Sequence, residues 1–254
     1  MRASNRTRHY YLACLLARIT AFAFLVCYSL HSPRRFDADL RADPFHLTPL
    51  TVVWAALILS MLFRLFPSRV ESLGCQKEFA GRFRPTGKSP SMEEVRQADR
   101  GALWVLLSWL ALNALVLLAY AWGWVNQRFL VCLAGFYGVC DIICILFFCP
   151  FQSWMMHNRC CTTCRVYNWD YLMICTPLLA IRGPLSLSAC LLALVLVVRW
   201  ELTYHRRRER FFVSSNEALR CDRCQEHLCR YKRALAAHRP RPQESQPQEG
   251  PRTP

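Results

Sequence analysis

Lysine is scarce in this 254-residue chain, occurring only at Lys77, Lys88 and Lys232, and glycine is held to nine residues. With few glycines in its soluble loops, the chain has no Walker-type loop, dinucleotide fingerprint or kinase signature, and H-E-x-x-H and G-x-S-x-G are also absent. These absences remove the familiar sequence grounds for nucleotide chemistry. Acids are also in short supply, at 17 against 32 bases, giving a net charge of +15 carried almost wholly by arginine. In a chain this apolar, such a surplus orients segments across a bilayer and meets anionic lipid headgroups, and nucleic acid is not the expected partner.

Hydrophobic residues make up 54% of the chain and fall into long runs. Residues 11–30, 48–66, 101–125 and 129–151 each approach the ~18 to 20 apolar residues needed to cross a hydrocarbon core. The first run follows a basic start but carries Arg18, is too long for a signal-peptide core and has no small-x-small cleavage site, so it reads as a retained helix. A last apolar region is interrupted at Arg182-Gly183-Pro184, and proline before a fresh apolar run marks a helix start. It divides into segments 166–181 and 185–204. With that hairpin, 25 of the 32 basic residues gather on one face, in the amino terminus, the loop 67–100, the loop 152–165 and the tail from Arg199. The expected fold is an all-α, polytopic membrane bundle over 1–205, of about six segments with the last two forming a hairpin and both termini cytoplasmic. A cytoplasmic loop (67–100), a basic cysteine-containing tail (206–239) and a disordered Pro/Gln/Glu-rich end (240–254) complete it.

The fifteen cysteines segregate on this topology. Cys14, Cys27, Cys132, Cys140, Cys144, Cys149, Cys175 and Cys190 fall in membrane segments, where a thiol is ordinarily a small hydrophobe. The other seven all fall on the cytoplasmic face, which argues against a disulfide framework. Among them, Cys161-x-x-Cys164 and Cys221-x-x-Cys224 have the spacing that wraps two thiolates round one metal ion, and the hairpin brings the two pairs to one side. They are the expected ligands of zinc or an iron–sulfur cluster, with Cys160, Cys229, Cys75 and His227 as alternates. Arg159, Arg165, Arg220 and Arg223 flank the pairs and would favour thiolate and offset its charge.

Inside the membrane, Asp141 needs a partner, and Arg18 and Arg182 are the candidates, with Asn113 a further polar group. Arg64, near a helix end, can snorkel and receives no role. Tyr167 and Trp169 read as interfacial anchors and Asp170 as a helix cap. A structural or electron-transferring metal protein is the favoured reading and catalysis is the lesser expectation. A transporter using Asp141 and a thiol-disulfide oxidoreductase are the alternatives.

Overall fold

The computed structural model describes residues 2–158, 160–221, 224, 226 and 228, and the regular elements among them are all helical. Eight α-helices run in chain order: α1 (Arg2–His31), α2 (Pro33–Leu40), α3 (Pro49–Arg64), α4 (Leu73–Gln76), α5 (Met92–Ala121), α6 (Gln127–Leu146), α7 (Asp170–Cys175) and α8 (Pro184–Arg206). Four of these stretches, Arg6–His31, Met92–Ala121, Gln127–Leu146 and Pro184–Arg206, are long and apolar enough to cross a membrane. The α5 side chains Leu103, Trp104, Leu107, Leu110 and Leu115 are exposed, which suits a surface solvated by lipid. Among the described residues, the chain thus has the helical make-up that suggests a membrane protein.

Local chemistry sets the helix bounds. Thr48 and Thr51 form a reciprocal capping box at the start of α3, with Pro49 at its first position. Ser91 and Glu94 form another, and it starts α5 at Met92, well inside the segment that hydropathy assigns to the loop. The helix therefore begins nine residues before the expected membrane segment 101–125, extended by the polar stretch 92–100. At the far end of α5, Gly123 takes φ +78°, and the Trp124 amide reaches back to the Ala119 carbonyl. The expected segment 129–151 is shorter as a helix, ending at Leu146 before Pro150 and a π-helical turn over Phe151–Met155. Segment 166–181 is broken into a 3-10 turn at Tyr167–Trp169, then α7, then a 3-10 turn over Thr176–Ala180. The amphipathic α2, with Phe36 and Leu40 buried, has no counterpart among the expected segments.

The core is layered along the bundle. Leu25, Phe36, Leu40, Leu50, Leu130 and Ile181 pack at one end. In the middle, Ala189, Cys190 and Ala193 give α8 a small-residue stripe that lets Met61 of α3 and Ile174 of α7 approach closely. At the other end Tyr11, Val105, Leu146, Tyr167, Trp200, Tyr204 and Phe211 form the largest layer. That layer is the floor on which the loops and the tail are built.

Candidate functional site: two thiol cavities on one turn

The α3–α5 loop is not a solvated linker. Lys77 is fully buried, and its Nζ donates to the carbonyls of Thr162 (3.1 Å) and Cys164 (2.7 Å) while facing the rings of Trp200 and Phe211. Burial strips the ammonium of water and pushes its pKa down to about 7, against the pull of the neighbouring thiols. Lys77 thus fastens the loop to the backbone of the cysteine turn. Next to it, burial pushes Glu78 up to about 7, with Arg199 3.8 Å away as its counter-charge.

The tail is fastened by main-chain bonds. Thr86 N donates to Ser215 O (3.1 Å) and Glu217 N to Arg84 O (2.8 Å), and Asn216 adds side-chain bonds to Arg84 N and Arg210 O. Arg210 donates to Glu78 O at 2.8 Å. The Glu226 carboxylate accepts from the Leu73 amide at the start of α4, and burial raises its pKa. These contacts carry Cys221 and Cys224 back to the bundle.

The cysteine turn divides its thiols. Cys160 is extended (φ −138°, ψ 141°), and a 3-10 turn over Cys161–Thr163 follows, closed by Cys164 N to Cys161 O at 2.9 Å. Positions i and i+3 of such a turn share a side, and the preceding extended residue points away from them. Cys160 accordingly lines a cavity of about 460 Å³ together with Cys221 and Cys224. Cys161 and Cys164 instead line a smaller cavity of about 130 Å³ with Cys140, Asp141, Cys144, Cys149 and Asp170.

The structure therefore brings the tail pair to this turn, but against Cys160 and not against Cys161 and Cys164. The larger cavity is also lined by Arg6, Arg69, Arg82 and Arg84, none of which forms an ion pair among the described residues. Cys75 is elsewhere: it is fully buried, its Sγ donates to Ser72 O at 3.0 Å, and burial raises its pKa far above the thiol range. Among the described residues, no three Cys, His, Asp or Glu donors converge as a preformed metal cluster. Cys229, His227, Arg159, Arg223 and the end 240–254 lie outside the described residues.

Several expected roles change. Arg165 is only 6% exposed, binds the Glu201 carboxylate through both terminal nitrogens and lies 3.6 Å from the centre of the Tyr204 ring, so its charge braces α8. Tyr167 and Asn168, read as part of an interfacial anchor, are buried: the Tyr167 hydroxyl meets that of Tyr11, and Asn168 accepts from Arg64 at 2.9 Å. Arg64 is 4% exposed and also binds Glu71 (2.9 Å), approaches Asp170 (3.3 Å) and covers the Tyr171 ring. Asp170 does not cap: α7 has no side-chain cap bond, and neither carboxylate oxygen receives a well-aligned hydrogen bond. Asp141 is paired with Arg18 at 2.6 Å, and the same guanidinium nitrogen donates to Gly138 O. Arg182 is exposed at the turn before α8 and takes no part. Periodicity could have flagged Arg64, since it is an arginine in the last turn of an apolar helix, but the loop that buries it is invisible to a hydropathy reading.

No family model, curated protein or solved structure matches this chain.

Proposed function

We propose that this chain is a six-segment membrane protein whose loop-and-tail end, on the cytoplasmic side, holds a soft metal on thiolates and uses it to lock the tail to the bundle. The observation that carries this reading is that Cys160, Cys221 and Cys224, from segments 61 or more residues apart, line one cavity. Three thiolates, with Cys229 or His227 as the fourth donor, make a Cys₄ or Cys₃His set, for which zinc is the default ion and an iron–sulfur cluster the competitor. The four arginines on the cavity wall would offset the negative charge of such a site. The six-segment count draws support from the approach of Gly183 to the Leu40 carbonyl, because α2 lies at the end opposite the tail cavity. By this reading the broken segment 166–181 and α8 are the arms of the hairpin, and the surplus of arginine at the tail end makes that end cytoplasmic.

The test is metal analysis of the full chain purified anaerobically in detergent. About one zinc, or the visible absorbance of a cluster, is expected per chain. Cys160→Ser and Cys221→Ser should each lower metal content, and Cys164→Ser should not. A folded wild-type protein free of metal overturns the reading.

A second reading is favoured by one observation. Arg18 lines a membrane-embedded groove between α1 and α3, and Asp141 lines the small thiol cavity, so the Arg18–Asp141 pair separates the two spaces. A transport path for a cation would pass through that pair. Asp141→Asn should then abolish flux in vesicles without loss of assembly, whereas loss of assembly makes the pair a packing clamp.

A further inference from the structure

The small cavity lies inside the bundle, apart from the tail site, and has its own chemistry. Cys144 is on the last turns of α6, and Cys149 follows where the helix gives way to Pro150. Both thiols line this cavity of about 130 Å³, together with that of Cys161. The Gln152 backbone N–H donates to the Cys149 sulfur at 3.4 Å. Cys161 reaches in from the turn: its Sγ donates to Gln152 Oε1 at 2.7 Å and to the Cys144 carbonyl at 3.5 Å. On the same wall is Asp170, 7% exposed, with the buried Arg64 guanidinium 3.3 Å from its carboxylate as counter-charge.

The donor set selects the class of guest. Mg²⁺ and Ca²⁺ require six or more oxygens, and here there are two carboxylates, already paired with Arg18 and Arg64. A closed zinc site requires four converging ligands, and no three converge among the described residues. Soft thiolates select Cu(I), which, like Ag(I), is satisfied by two or three sulfurs. A cavity of about 130 Å³ walled by Trp109, Tyr137 and Phe151 suits a desolvated ion with no retained water shell.

We propose that the inner cavity is a binding site for a soft monovalent cation of the Cu(I)/Ag(I) class, held by the sulfurs of Cys144 and Cys149. Binding forms two metal–sulfur bonds and breaks two S–H bonds. The ion and two thiols give a dithiolate complex of charge −1 and two protons, with no change of oxidation state. Both protons leave to solvent.

The experiment titrates the purified, reduced, full chain in detergent with Cu(I) against a chromogenic Cu(I) chelator, and separately with Ag(I). The expected result is one ion resisting the competitor, with a thiolate-to-copper absorbance in the ultraviolet and release of protons on binding. The Cys144→Ser/Cys149→Ser variant should bind at least tenfold more weakly, and Cys140→Ser should match wild type. The triple variant Cys160→Ser/Cys221→Ser/Cys224→Ser should keep the copper equivalent, which separates this site from the tail site. If the double variant does not fold, alkylation of the wild type decides: bound Ag(I) should protect Cys144 and Cys149, read by mass spectrometry. Unchanged copper retention in a folded double variant, absence of protection, or a Cys144–Cys149 disulfide as the resting state under reducing conditions overturns the proposal.

Discussion

Replacing Arg64 by Met keeps the apolar stem and removes the charge that three segments share. The guanidinium holds Glu71 of the α3–α5 loop at 2.9 Å, Asn168 of the cysteine turn at 2.9 Å and Asp170 of α7 at 3.3 Å, and it covers the Tyr171 ring at 5.2 Å. Glu71 would retain its bond from Gln76, but Asp170 would lose its ion-pair partner, the guanidinium 3.3 Å away. Removing one partner of a buried pair costs about 3–5 kcal/mol. The two stranded carboxylates do not double that figure, because each can escape by taking up a proton. For a chain of this size the loss corresponds to a fall in Tm of about 6–20 °C. Tryptophan fluorescence during heating in detergent reads it, with exposed Arg96→Met as a control expected to lie within about 0.5 kcal/mol of wild type. Adding Asp170→Asn to Arg64→Met should recover stability, since the carboxylate that needed the arginine is then gone. A loss below about 1 kcal/mol, or no recovery in the double variant, refutes the idea that Arg64 organises this end.

Three further expectations concern the same layer. The folded pKa of Glu78 is raised to about 7, so its contribution is full below about 4.5 and is lost as pH rises to 7; that of Lys77 is depressed to about 7, so stability returns as pH rises from 7 toward 10.5. Thermal stability should pass through a minimum near neutrality, with Glu78→Gln flattening the acid limb and Lys77→Met the alkaline one; a monotonic profile contradicts both assignments. Gly74→Ala puts a Cβ 2.5 Å from the buried Tyr167 ring and should cost about 1–3 kcal/mol, whereas Gly81→Ala meets nothing within 4 Å and should be neutral, as heating curves of the two will show. Arg165→Lys should destabilise by about 1–2 kcal/mol despite the kept charge, because an ammonium cannot reproduce the two-point grip on Glu201 and the stack on Tyr204; wild-type stability would contradict this.

Long apolar runs were readable as spans because a lipid-facing helix has to be apolar whatever it packs against, and α1, α5, α6 and α8 follow from composition alone. Asp141 and Arg18 were readable as partners because a charge in hydrocarbon must find a counter-charge. The end layer was not readable in this way. The burial of Lys77 and Arg64 depends on a loop folding back over the helix ends, which leaves no periodic trace in the sequence. The same holds for Tyr167, Asn168 and Asp170, which look like an interfacial anchor until the loop covers them and the lipid headgroups are replaced by Tyr11, Arg64 and Cys75. The separation of Cys160 from Cys161 was half visible: adjacent thiols rarely share one tetrahedral ion, but which of the two faces the tail depends on where the 3-10 turn begins.

That turn also explains why one short segment can serve two sites. Its backbone is held by Lys77, whose two bonds go to the carbonyls of Thr162 and Cys164 and to neither sulfur. Its side chains are thereby left to the cavities, with Cys160 toward the arginines and the tail and Cys161 toward the thiols of α6. An ion on either side would press on the same five-residue stretch, and any shift of the turn would move both walls together. Coupling between the two follows from covalent geometry and needs no longer pathway: binding at one cavity should alter affinity at the other by a finite factor, and by linkage the effect must be equal in both directions. Titrating copper with the tail site loaded and then emptied measures that factor. A ratio of one with both sites shown to bind would mean that Lys77 holds the turn too rigidly for either ion to displace it.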